Sequence, residues 1–143
     1  MDIEIENSHP FEESIRRIIF TLDQELSLNL DSLNLHFITD KELLEINKEY
    51  LNHDYFTDII TFDLRDKESN EAEIFISIDR VRENAINYNV TENEELSRIV
   101  IHGLLHLSGL KDKTEKDSKT MRTAENKFLA KLFHVKPEWK VIM

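Results

Sequence analysis

The stretch "IVIHGLLHLSGLKD", residues 99–112, limits what this chain can fold into more than any other. On an α-helix, positions four apart share a face, with Cβ atoms about 5–6 Å apart. His102 and His106 therefore converge on one point. Ile99, Val100, Leu104, Leu105 and Leu107 interleave with them, which puts the two imidazoles at the edge of a buried face. The helix must end soon after His106 if the chain is to return another ligand. Gly109 permits that ending, because a residue without Cβ adopts the left-handed conformation that terminates helices. Asp112 then lies one short loop away with a carboxylate oxygen to offer. Zinc hydrolases use this ladder: His, His four later, Gly at plus seven, a third ligand at plus ten. Catalytic zinc keeps about three protein ligands and an open position. Two histidines four apart, taken alone, are more often structural or surface residues; it is the four positions together that point to a metal.

Composition narrows the chemistry. Cysteine is absent, so a metal must be held by His, Asp or Glu, and a reducing, cytoplasmic setting is the simplest expectation. No apolar run approaches the roughly 18 residues of a membrane span, and "MDIEIENSHP" lacks the basic and apolar regions of a signal peptide. The formal net charge of −11 argues against broad non-specific nucleic-acid binding, which draws on Lys and Arg, and no DNA partner is expected. A divalent cation would add positive charge that this count omits. A length of 143 residues favours one domain spanning 1–143.

The chain reads as strands interleaved with helices. "DIEIE" (2–6) alternates as a short edge strand. Pro10 suits the first turn of a helix, with Phe11, Ile15, Ile18, Ile19, Leu22 and Leu26 on its core-facing stripe. Leu33, Leu35 and Phe37 alternate in a second strand. Thr39 and Glu42 form a capping box opening a helix to about residue 51. "DIITFDL" (58–64) and "EIFISI" (73–78) are strands. Residues 79–89 form a helix with Asp79 as cap. Thr91 and Glu94 open the histidine helix, and Thr114 caps a last helix bearing Met121, Phe128, Leu129 and Leu132. The tail "HVKPEWKVIM" has no clear assignment. The expected fold class is α+β, a mixed sheet of about four strands packed with about five helices. Hairpins are too few for a wholly antiparallel sheet.

Zinc proteases carry a general base, Glu, directly after the first His. Here that residue is Gly103, which weakens a protease reading. A bound metal still activates water and polarises a carbonyl or phosphoryl oxygen. Proton transfer must then come from another residue, a second water or the substrate. The 2′-hydroxyl of an RNA is one such internal nucleophile.

"HGLLHLSGLKD" resembles the His-Gly-x-Leu-His-Leu-x-Gly-Tyr-Asp-His signature of the YbeY endoribonucleases, bacterial rRNA maturation factors. "INKEYLNHDYFTDIITF" (46–62) resembles that family's second landmark, matching at Asn47, Tyr50, Asp54, Thr57, Asp58 and Phe62, and "AEIFIS" resembles the strand that follows. Met121 with Glu125 fits the pattern of its last helix. The order and spacing hold from about residue 33 to 132. The resemblance implies one Zn2+ on His102, His106 and Asp112, and a single-strand-specific endoribonuclease acting in 16S rRNA 3′-end maturation at the small ribosomal subunit.

Three departures stand out. Asp112 falls where the family has its third His, with Asp117 as a rival ligand. Leu51 falls where it has Arg, which would clamp a phosphate; Arg65, Lys48 and Lys111 are candidates to compensate. Phe56 replaces its Pro. The general acid and base are not assigned. Asp58 and Thr57 open a strand beside the expected cleft and read first as caps or turn formers, Tyr50, Tyr55 and Phe56 as loop packing or base-stacking groups, and His53 as a solvated loop residue before a phosphate contact. Glu125 reads as a surface residue, a partner that orients a histidine, or a distant base. His9, His36 and His134 lack metal spacing, and "KDKTEKDSK" reads as a solvated helix start whose lysines flank the site. Two other functions share these ligands: a zinc metalloprotease-like hydrolase, and a non-catalytic ribosome-assembly factor with a structural metal.

Overall fold

A computed structural model describes residues 1–6 and 10–133. The chain runs β1 (Asp2–Glu6), α1 (Glu12–Glu25), β2 (Ser32–Ile38), α2 (Asp40–Leu51), β3 (Ile59–Asp63), β4 (Glu71–Ser77), α3 (Ile78–Tyr88), α4 (Glu92–Leu107) and α5 (Glu115–Phe133). His9, His134 and the tail "HVKPEWKVIM" lie outside the described residues.

The four strands form one sheet in the order β1-β2-β4-β3. β1 pairs parallel to β2 and β2 parallel to β4, while β3 returns antiparallel to β4 along the edge. The mixed sheet and five helices agree with the α+β expectation. Strand alternation decides the two faces. Ile3, Leu33, Leu35, Phe37, Ala72, Ile74 and Ile76 all point to one side and are buried, where α1 and α4 supply Ile15, Ile18, Ile19, Leu22, Leu96, Val100, Ile101 and Leu104. Each fully buried Leu or Ile contributes about 1.5–3 kcal/mol, so this layer dominates the stability of the fold. The opposite face carries rings: Phe75 stacks on His36 with centroids 4.3 Å apart, and Phe62 meets Phe75 and Tyr50 edge-on.

Capping chemistry sets the helix boundaries. Thr39 and Glu42 form the expected reciprocal capping box. Thr91 Oγ1 accepts the Glu94 N–H at 3.1 Å, and Thr114 Oγ1 accepts the Asp117 N–H at 3.0 Å. The cap of α3 differs from expectation. Ser77, the last strand residue, accepts the Arg80 N–H at 3.2 Å, so Asp79 already lies in the first turn. Its carboxylate instead accepts the Asp40 N–H at 2.8 Å and ties α3 to the start of α2. Ser77 takes the cap because its hydroxyl already lies at the strand end, fully buried. The helix after Pro10 begins two residues later, at Glu12, with Phe11 at the cap position.

Candidate metal centre

Helix α4 is buried along most of its length, with Gly103, Leu104, Leu105 and Leu107 inside and His102 and His106 half-buried at its rim. Gly103 is where β3 presses onto the helix. A Cβ there would stand 2.8 Å from Ile59 Cδ1 and 3.0 Å from Thr61 Oγ1. The position that carries the base in zinc proteases therefore faces the sheet, where any side chain would press on Ile59 and Thr61.

The helix ends as the sequence requires. The N–H of Gly109 donates to the His106 carbonyl, and the N–H of Leu110 to the Leu105 carbonyl. This paired reversal satisfies the last carbonyls and needs a residue free to take positive φ; Gly109 has φ +106°. The turn brings Asp112 back over the helix end. Its Oδ2 lies 3.2 Å from His102 Nε2 and 3.4 Å from His106 Nε2, and the two Nε2 atoms are 3.0 Å apart. Among the described residues these three form the group whose ligand atoms approach one another closely enough to hold a metal ion. Asp117, the rival, lies in the first turn of α5 and is not part of it.

The chemistry of the donors fits a small divalent cation. Nδ1 of His106 lies 2.8 Å from the Leu110 carbonyl, which can only accept, so Nδ1 carries the proton. Nδ1 of His102 lies 2.8 Å from Glu125 Oε2. Burial works against ionisation of Glu125, but hydrogen bonds from His102 and Arg98 outweigh it and hold the carboxyl below its usual range. Glu125 is therefore an acceptor, and His102 also keeps its proton on Nδ1. In the neutral rings both Nε2 lone pairs face the Asp112 oxygen. Three electron-rich atoms converging within 3.4 Å repel unless a cation or proton lies between them. Tetrahedral zinc ligands at about 2.0–2.1 Å from the ion stand roughly 3.3–3.4 Å apart, close to the observed triangle. The partners on Nδ1 fix tautomer and ring orientation, as they do in metal sites generally. Without a metal, burial opposes charging of His102, but Glu125, Asp112 and Asp58 together raise its pKa.

Two clefts meet at this triangle. One, of about 420 Å³, runs along β3 and the 52–58 loop and is lined by Asn47, Leu51, Tyr55, Asp58, Thr61 and Asp63. The other, of about 360 Å³, lies between α3, α4 and α5. Asp58, His102 and Asp112 border both. Asp58 is thus more than a turn former: burial raises its pKa, partly countered by His102. Thr57 does act locally, its hydroxyl donating to the Ile59 carbonyl at 3.4 Å.

The other expected groups scatter. Leu51 lines the β3 cleft as an exposed aliphatic side chain. Arg65, Lys48 and Lys111 line neither cleft. Arg65 forks onto Asp63 at 2.8 and 2.7 Å and donates to the Leu107 carbonyl at 2.7 Å, so it is committed to the end of α4. Lys48 pairs with Asp54 at 3.5 Å. Tyr55 lines the cleft stacked on His53, whereas Phe56 lies under the Arg80 guanidinium. His36 bridges Glu6 and Glu73 away from the centre. Sequence reasoning missed Arg98 and Glu95. Arg98 braces Glu125 at 2.9 Å and reaches Asn126 with its other nitrogen at 2.9 Å. Glu95, only 5% exposed, has its pKa raised to about 7 by burial and by Asp58. The one available signal was register: Glu95, Arg98 and His102 fall at successive steps of three and four on α4.

Comparison with known proteins bears on this arrangement. The profile of the family described as Endoribonuclease YbeY matches residues 2–133. The chain is 51% identical over 104 residues to the Endoribonuclease YbeY of Flavobacterium psychrophilum, covering 73% of this chain and 74% of that one. It is 38% identical over 134 residues to the Flavobacterium johnsoniae protein of the same name, covering 94% and 93%. A solution structure from Thermotoga maritima superposes with a TM-score of 0.65 at 26% identity, over 92% of this chain and 89% of that one. A match across nearly the whole described chain, with the histidine helix inside it, settles descent: this chain belongs to the YbeY endoribonuclease family.

Proposed function

We propose that residues 1–143 act as one zinc-dependent, single-strand-specific endoribonuclease domain, processing rRNA at the small ribosomal subunit in the cytoplasm. The observation that carries this reading is the convergence of His102 Nε2, His106 Nε2 and Asp112 Oδ2, with both Nδ1 atoms tied behind them. These three side chains would hold the ion, which when bound supplies Lewis acidity and an activated water. The names of the curated relatives support RNA as the substrate.

The chain's own residues do the rest. Glu125, braced by Arg98, keeps His102 in one tautomer and one orientation. Asp58 borders both clefts beside His102, and its raised pKa fits a group that holds and releases a proton near the reacting phosphate.

The protease alternative is disfavoured because β3 fills the space a base at position 103 would need. A purely structural metal is disfavoured because the Asp112 side chain is 43% exposed at the junction of two clefts, whereas structural zinc sites are closed. Cleavage of a single-stranded RNA should vanish on metal removal, return with zinc and be absent in His106→Ala. Persistence without metal, or in the variant, contradicts the reading. A substrate with hydrogen in place of the 2′-hydroxyl separates two routes: full cleavage excludes the 2′-oxygen as nucleophile.

A further inference from the structure

The two clefts at the metal centre differ in charge. Among the described residues no lysine or arginine lines the β3 cleft, and position 51 there is a leucine. The cleft between α3, α4 and α5 is lined by Arg98 and Arg122. Arg98 is spent: its guanidinium nitrogens bond Glu125 and Asn126, and its side chain is 21% exposed. Arg122 differs. Its side chain is 59% exposed, and its approach to Glu125 is a distant 4.0 Å, on an oxygen that Arg98 already occupies. Tyr88, 63% exposed, borders the same cleft. A phosphodiester brought through this cleft meets the carboxylates of Asp58 and Asp112, with Glu95 and Glu125 also in the lining, so it needs a cation beyond the metal. A guanidinium matches phosphate with a planar fork of donors, and an exposed ring gives a base a stacking surface of any sequence.

Resting on the endoribonuclease reading, we propose that Arg122 binds the RNA phosphodiester at the metal centre. The strand enters through the α3–α4–α5 cleft, stacking a base on Tyr88, rather than along β3. Arg122 thereby supplies the cation that Leu51 cannot.

The test uses the zinc-loaded full chain and a single-stranded RNA oligonucleotide, with binding and cleavage measured at several salt concentrations. Arg122→Gln should lower kcat/KM by about 10–100-fold at unchanged zinc content. It should also reduce the steepness of log K against log salt by about 0.7, the share of one phosphate contact on a single strand. Arg122→Lys should recover the salt dependence but only part of the rate, because it keeps charge without the fork. Tyr88→Ala should weaken binding about tenfold with the salt dependence intact. Lys127→Gln removes the same charge from the same helix outside the cleft and should leave the slope unchanged. Wild-type-like binding and cleavage by Arg122→Gln overturns the proposal, as does an equal loss in Lys127→Gln. If the wild type binds RNA without cleaving it, the endoribonuclease reading falls, while loss of binding in Arg122→Gln still upholds the role of Arg122. If the wild type does neither, both fall.

Discussion

His102 and His106 differ in what stands behind them. A backbone carbonyl fixes His106, whereas His102 depends on Glu125, a side chain from another helix. Replacing Glu125 by Gln keeps the shape but removes the charge that pairs with Arg98 and raises the basicity of His102. Zinc affinity should fall about 10–100-fold, read by competition with a chromogenic chelator; unchanged affinity would show that Glu125 does not set the ligand. Gly103 gives a second residue-scale prediction. A Glu at this position would press on Ile59 and Thr61 and bury a charge, so Gly103→Glu should destabilise by more than about 3 kcal/mol, measured by urea denaturation. A near-neutral effect would mean that β3 does not seal this position. The ligand ladder was legible because i, i+4 spacing and a terminating glycine are local facts. Arg98 and Glu95 were not, because their roles arise only when α3 and α5 pack onto α4.

At the scale of the element, α4 serves both core and site, and its polar side carries a buried carboxyl. Glu95 lies on this helix, 5% exposed, among Asp58, Asn84, Arg98 and Arg122. Its folded pKa of about 7 lies above the unfolded value of 4.5. Between those values the folded protein retains a proton that the unfolded chain has released. Stability therefore falls as pH rises through this window, by up to about 3 kcal/mol. Glu95→Gln should remove that loss. Its denaturation midpoint should exceed that of the wild type at pH 8, and the difference should shrink to its low-pH limit only below the unfolded value of 4.5; equal pH dependence would contradict the burial argument. Helix limits were largely legible because Thr39, Thr91 and Thr114 announce them chemically. The start of α3 was not, since Ser77 and Asp79 are both competent caps, and the choice follows from Asp79 bonding across to α2.

Across the whole molecule, the sheet order brings β3 to an edge beside α4, and the His102, His106 and Asp112 group that could hold a metal lies at that seam with a cleft on each side. The α+β class was legible from alternation and helical periodicity, since burial on one sheet face writes itself into the sequence. Which strands neighbour which was not, because β1, β2 and β4 pair across long separations. The same non-local packing hid the uneven charge of the two clefts. Among the described residues no helix is long and apolar enough to cross a membrane. The central claim is that one ion on His102, His106 and Asp112 drives RNA cleavage. Its most direct test titrates zinc into metal-stripped protein while following cleavage of a single-stranded RNA. Activity should rise to a plateau at one zinc per chain, with Asp112→Asn needing far more zinc to reach it. Cleavage independent of added zinc, or an Asp112→Asn curve superimposed on the wild type, would contradict it.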